Sequence, residues 1–331
     1  MDFDWREDER RIRFGSGALD QARALLAEEG FEPYVLLTTE RAAASAPALV
    51  EGADALVHVP PVIVEEAAAA VRDQAAGRDL VALGGGRVID SAKAIAGADG
   101  LRCAAVPTTL SGAELTPFHR MPAGVEEVRW VRPALVVADP ALMASAPLPR
   151  LAASAMNALA HAMEALYTPA ANPVNDAVAL RAAALIASGL GESEERLALG
   201  GLLAAHASGR AGIAVHHALC QTIVRTAGTS HAETNAVVLP HSARMMAARA
   251  PEQMGDLAAA LGASGDDPAA AADAIAPLSA LSGYNRLSEL GVGSEQLNEV
   301  VNGVQGHRGL AATPGGPPSP ADLLALLEAA L

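Results

Sequence analysis

Asn157 and His161 stand four residues apart in MNALAHAMEALY (156–167), a stretch otherwise apolar enough to read as a buried helix. An (i, i+4) pair shares one helix face with Cβ atoms roughly 6 Å apart, close enough to converge on one ion or ligand. A second set lies in GIAVHHALCQTIVRTAGTSHAETNAVVLPH (212–241), where His217 and His231 are fourteen apart and His216 and His241 lie nearby. Imidazole is the commonest metal ligand and a general acid–base near neutral pH. Two readings stay open at this point. Four histidines in thirty residues make a ligand set, whereas a satisfied core histidine, a paired structural His at a helix start and a capping His241 would look the same. A third candidate is Gly84-Gly85-Gly86, at an expected strand-to-helix junction. Backbone N–H groups without a Cβ in the way can approach a pyrophosphate there, although a tight structural turn needs the same residues. Pro107-Thr108-Thr109 follows the next strand and brings two hydroxyls to the same sheet edge.

The elements that would position these residues fall into two textures. Through about residue 140, short apolar strands (34–39, 55–59, 80–86, 103–109 and 134–140) alternate with amphipathic helices around 17–30, 62–76 and after the glycines. Such alternation implies a parallel sheet with helices on both faces. From about residue 145 the chain reads as helix after helix, interrupted by TPGGPPSP (313–320) and closing on ADLLALLEAAL. We expect an α/β nucleotide-binding domain over 1–146 and an all-helical domain over 147–331. A cleft between two such domains is a common place for a small-molecule site.

Composition narrows the class. The chain has 331 residues, 51% of them hydrophobic but only 3% aromatic, so alanine dominates and a helix-rich core is expected. A net charge of −15 argues against nucleic acid or an anionic membrane as partner. Two cysteines, Cys103 and Cys220, supply no disulfide framework and fit a reducing cytoplasm. The densely charged start, MDFDWREDERRIRF, lacks the apolar segment of a signal peptide, and no run of 18 apolar residues suggests a membrane span. The expectation is a cytoplasmic protein acting on a small molecule.

Several motifs fall in one order: FGSGAL (14–19), GGGRVIDSAKAIAG (84–97), VPTTLSGAELTP (106–117), VVADPAL (136–142), MNALAHAMEALY, and HHALCQ followed by HAETNAVVLPH. Together they resemble the iron-containing alcohol dehydrogenase superfamily, most closely its maleylacetate reductase branch, over nearly the whole chain. The resemblance implies a dehydroquinate-synthase-like fold and a nicotinamide cofactor, NADH or NADPH, over Gly84, Gly85, Gly86, Asp90, Thr108 and Thr109. In metal-dependent members an Asp and three His hold Fe or Zn; the matching positions are Asn157, His161, His217 and His231. The resemblance also implies reduction of maleylacetate to 3-oxoadipate as the reference reaction, and a homodimer.

Departures from the family pattern bear on this expectation. Asn157 replaces an anionic ligand with a neutral amide, which weakens divalent-cation binding. Gln221, one turn after His217, stands where the family has a His, and glutamine cannot exchange a proton near pH 7. Val224 and Arg225 occupy positions usually held by two small glycines; Arg225 either crowds a cofactor or anchors a carboxylate. Arg87, a candidate cofactor-binding residue, takes the place of a serine and either pairs with a cofactor phosphate or blocks the pyrophosphate. Segment 118–133, with His119 and Arg120, is shorter than the family's loop. The leading expectation is an NAD(P)H-dependent reductase of a small unsaturated or keto acid in which His161, His217 and His231, with Asn157 and Gln221, bind and polarise the substrate. The alternatives are a metal-dependent alcohol dehydrogenase and a scaffold repurposed for cyclisation, elimination or isomerisation.

Overall fold

The computed structural model describes residues 1–263 and 267–331 and divides into two compact units, Met1–Ser145 and Ala146–Leu331. The first unit contains strands β1 (Phe3–Glu7), β2 (Arg10–Phe14), β3 (Tyr34–Thr38), β4 (Ala55–His58), β5 (Asp79–Gly84), β6 (Cys103–Pro107) and β7 (Leu135–Ala138). Its helices are α1 (Ala22–Glu28), α2 (Glu40–Ser45), α3 (Pro47–Glu51), α4 (Val64–Ala75), α5 (Gly86–Asp99) and α6 (Pro140–Met143). The sheet order is β1-β2-β7-β6-β5-β3-β4, and every pairing is parallel except that of β1 with β2. From β3 the chain steps outward to β4, then returns to place β5 on the other side of β3. That reversal is the topological switch point, outside which open parallel sheets bind their ligands.

β3, β5, β6 and β7 carry near-continuous apolar runs because helices cover both faces of the sheet. One layer of the core joins Val35, Leu37, Leu80 and Ala82 to α4 and α5. The other joins Leu36, Val81, Leu83 and Val137 to α1 and α3. Both cysteines are buried and free, and burial pushes the Cys103 thiol up to about 12.

The five strands read from the sequence are present, but β1 and β2 were not among them. The dense charge of the N-terminus conceals a period of two, in which Phe3 of β1 lies opposite Phe14 of β2 with ring centroids 5.3 Å apart. Asp8 turns the hairpin in the left-handed region, φ 53°. Arg11 donates its guanidinium to Asp4 and Glu28, so part of the dense N-terminal charge holds a sheet edge.

The second unit is helical throughout its described residues: α7 (Leu148–Ala165), α8 (Pro173–Gly189), α9 (Glu194–Ala211), α10 (Val215–Ala227), α11 (His231–Arg249), α12 (Pro251–Ala260), α13 (Ala270–Ala280), α14 (Leu297–Gly303), α15 (Arg308–Ala311) and α16 (Pro320–Ala330). α7 is buried on nearly every side from Leu151 onward, its polar Asn157 and Glu164 included. Caps punctuate the others: Ser193 starts α9, Gly228 closes α10 at φ 68°, and Ser319 with Asp322 forms a capping box on α16. The sequence reading of His241 as a residue preceding a helix is corrected. It lies inside α11, which continues through Pro240. No helix among the described residues is long and apolar enough to cross a membrane.

Glu114 is the least expected feature of the first unit. It is fully buried, neither carboxyl oxygen has a hydrogen-bond partner, and burial raises its pKa to about 7. Below the unfolded value of 4.5 both states are protonated and the group is neutral to stability. Stability is lost as pH rises from there through 7, by roughly 3 kcal/mol in all. Glu114→Gln removes that dependence. Denaturant unfolding is therefore expected to show a larger gain from E114Q at pH 8 than at pH 5, by roughly 2 kcal/mol; the same difference at both pH values would contradict it.

Candidate active site

Two sets of candidate residues were read from the sequence, one in each unit. In the first unit, β5 ends on Gly84 and α5 begins at Gly86, so the three glycines form the junction at the switch point. Each glycine has a steric reason. A Cβ on Gly84 would lie 2.8 Å from Val88, one on Gly85 3.1 Å from Thr109, and one on Gly86 3.0 Å from Ser111. The segment after β6 thus packs directly on the glycine turn, and Thr108 N–H donates to Gly84 O at 3.0 Å. Gly84, Gly85, Gly86, Thr108 and Thr109 are brought together.

This place suits a pyrophosphate. No side chain caps the N-terminus of α5, and its first turn carries no acid. The opening backbone N–H groups of a helix with 14 residues are left to a ligand, with the helix dipole favouring an anion. Arg87 is exposed in that first turn, and Thr109 Oγ1 is buried with no hydrogen-bond partner. Residues and surroundings fit a nicotinamide dinucleotide.

Asp90 has a different immediate partner. It accepts from Lys93 Nζ at 2.8 Å, and Lys93, fully buried, gives its other two hydrogens to Ala113 O and Phe118 O. All three ammonium donors are used. Lys93 escaped the sequence reading; a lysine three residues after an aspartate on a helix usually marks a solvated face, and only the tertiary structure shows it inside. His119 fixes the 118–133 loop, accepting at Nε2 from Val131 N–H at 3.1 Å. It is half-buried rather than a bare surface residue.

In the second unit α7 and α10 carry the histidine site. His161 and His217 stack with ring centroids 4.1 Å apart and planes 19° from parallel. Behind them Glu164, three residues after His161, is fully buried. Its Oε1 accepts from His217 N–H at 3.2 Å and its Oε2 from His217 Nδ1 at 2.7 Å. Burial raises the Glu164 pKa, while His216 and the backbone N–H groups of Ala214 and His217 oppose the rise. Backbone N–H groups can only donate, so they favour the carboxylate, and Nδ1 of His217 then carries the ring proton. His217 Nε2 is left as the lone-pair atom, buried and with no hydrogen-bond partner. Burial, with His231 adding to it, lowers the His217 pKa to about 3, so the resting ring is neutral. His161 Nδ1 is in turn 2.9 Å from Ser208 Oγ on α9.

Asn157 is buried one turn before His161 on α7, Gln221 is half-buried one turn after His217 on α10, and His231 is exposed as the first residue of α11. His216 does not join them. Its Nδ1 meets Ser242 Oγ at 2.8 Å and its Nε2 meets Asn235 Oδ1 at 2.9 Å, and burial lowers its pKa to about 3. It stitches α10 to α11. Of the adjacent pair, His216 joins two helices and His217 stands with Glu164 and His161.

The donor set does not fit a divalent metal. Two imidazoles on one ion must aim their lone pairs at a common point about 2 Å from each nitrogen, whereas stacked rings send them side by side. Among the described residues no three His, Cys, Asp or Glu side chains are grouped to hold an ion, and Asn157 brings no charge. The expectation of a metal centre at Asn157, His161, His217 and His231 is not met by this arrangement. Glu164 was missed because an acid near a histidine suggests an exposed turn; the available signal was its place on the Asn157–His161 face, at i+7 and i+3.

Comparison with known proteins gives concordant results. Residues 9–140 match the model "Iron-containing alcohol dehydrogenase" and residues 151–331 match "Fe-containing alcohol dehydrogenase family, C-terminal". The chain is 37% identical over 261 residues to maleylacetate reductase 1 of Rhodococcus opacus, covering 75% of this chain and 72% of that one. It is 35% identical over 280 residues to a maleylacetate reductase of Sphingobium indicum, covering 78% and 79%. The crystal structure of maleylacetate reductase from Agrobacterium tumefaciens superposes with a TM-score of 0.85 at 26% identity, over 99% of this chain and 97% of that one.

The tautomer of His217 is directly observable. Nitrogen-15 spectra of histidine-labelled protein at pH 7, assigned by loss of one signal in His217→Gln, are expected to show His217 as a neutral ring protonated at Nδ1, as His119 is by its bond from Val131 N–H. Glu164→Ala should erase that preference at His217. His217 protonated at Nε2 in the wild type would contradict the assignment.

Proposed function

The chain belongs to the iron-containing alcohol dehydrogenase family, and we propose that it is an NAD(P)H-dependent reductase of maleylacetate or a closely similar unsaturated keto acid. The observation that carries this reading is His217: a buried imidazole held from behind by a carboxylate, with Nε2 bare. The reductases named above supply the substrate class. The non-redox alternative has no counterpart among them.

Reduced nicotinamide supplies the hydride, and Gly85, Gly86, Thr109 and the first turn of α5 would hold its pyrophosphate. Addition to the alkene carbon β to the ketone moves an electron pair onto the ketone oxygen, giving an enolate that a proton then quenches at the α carbon. Burial holds the resting His217 neutral; an anion forming at Nε2 reverses that balance. With a proton taken up from solvent on Nε2, His217 and Glu164 form an internal ion pair, so no isolated cation is left in the interior. Nε2–H then stabilises the enolate as it forms, and the proton remains available to the carbon. Stacking on His217 and the contact to Ser208 keep the His161 ring beside it. Gln221 can orient an oxygen but not relay a proton. In this reading the site works without a metal.

Fluorescence titration with NADH and with NADPH is expected to show saturable binding of at least one, and that complex should be oxidised by maleylacetate. His217→Gln should lower kcat by about 10²–10⁴-fold with nicotinamide affinity unchanged. Folded protein that binds neither nucleotide would overturn the proposal.

A further inference from the structure

α10 lays its polar residues along one side. His217, Gln221, Val224 and Arg225 are spaced i, i+4, i+7 and i+8, a stripe that drifts by about 40° per four residues. Exposure rises along it, from His217 at 2% through half-buried Gln221 and Val224 to exposed Arg225. Apart from the histidines, Arg225 is the one ionisable basic or acidic side chain of this helix. The buried end of the stripe is also its reactive end, because His217 Nε2 is there without a partner.

The geometry points to Arg225 as the specificity residue of the site, binding the distal carboxylate of a dicarboxylate whose carbonyl lies at His217. This inference rests on the reductase reading for the identity of the reacting end, and adds to it the group that selects the other end. His217 and Arg225 are about 12 Å apart along the helix axis. Helical side chains lean toward the N-terminus, so a guanidinium at position 225 can reach back over the turn of Gln221, roughly 7 Å from the imidazole, the span of a short diacid. A guanidinium recognises a carboxylate through two parallel hydrogen bonds, which a lysine cannot reproduce. Val224 between the two polar ends suits the carbon chain of such a substrate.

A purely structural role must be distinguished, because an Arg in the last turn of α10 also complements the helix dipole. Lysine would serve the dipole equally well. The test is calorimetric binding of adipate and of hexanoate, an unreactive six-carbon diacid and its monoacid counterpart, to full-length wild type, Arg225→Ala and Arg225→Lys. Adipate is expected to bind the wild type more tightly than hexanoate. R225A should weaken adipate by about tenfold or more and leave hexanoate unchanged, with R225K intermediate. Equal loss of both acids, loss of neither, or no preference for adipate in the wild type would overturn the inference. None of these readouts involves hydride transfer. Selective adipate binding by a protein that oxidises no reduced nicotinamide would sink the reductase reading and leave Arg225 as an anion-selecting residue.

Discussion

The second unit is organised around one interaction, the pairing of Glu164 on α7 with His217 on α10. A buried carboxylate is tolerable only when its lone pairs are taken, and here a backbone N–H and an imidazole Nδ1 take them at 3.2 and 2.7 Å. The same two bonds lock helix to helix, fix which nitrogen of His217 carries the proton, and turn the other toward the site. Removing either partner would strand the other in the interior. Structure and chemistry are therefore the same constraint at this point. The His161 stack, the contact to Ser208 and the placement of Gln221 and Arg225 along α10 all take their reference from that ring.

Much of this was legible from residue order, and the exceptions have definite causes. Five parallel strands and the helical half announced themselves through long apolar runs and periodicity, which are properties of local sequence. The β1–β2 hairpin did not, because four arginines and five acids between residues 2 and 13 overwhelm a two-residue period carried by Phe3, Trp5 and Ile12. His161 and His217 were identifiable by spacing within the resemblance. Which of His216 and His217 was functional could not be read from neighbouring letters, since the answer lies in Ser242, Asn235 and Glu164, all distant in sequence. Lys93 and Glu114 were invisible for a related reason: nothing local says that a charged residue on a helix or loop will be enclosed.

The departures from the family pattern form a consistent set. Asn157 removes a charge that a divalent ion would need, and the stacking of His161 on His217 removes the convergence it would need. What remains is a hydrogen-bonding face able to take up a proton when negative charge develops opposite it. Glutamine at 221 can hydrogen-bond but cannot exchange a proton, so in the proposed mechanism the Glu164–His217 pair is the proton-holding element. In the first unit, Arg87 adds positive charge at a helix start already suited to a phosphate, so that substitution reinforces its position.

The most direct test of the central claim, that a carboxylate-held histidine does the work a metal does in relatives, is the rate of maleylacetate-dependent NAD(P)H oxidation by chelator-treated protein whose metal content has been measured. Full activity is expected with iron and zinc far below one per chain, and no increase on adding either ion. Activity that disappears with the metal and returns in proportion to added Fe²⁺ or Zn²⁺ would contradict it.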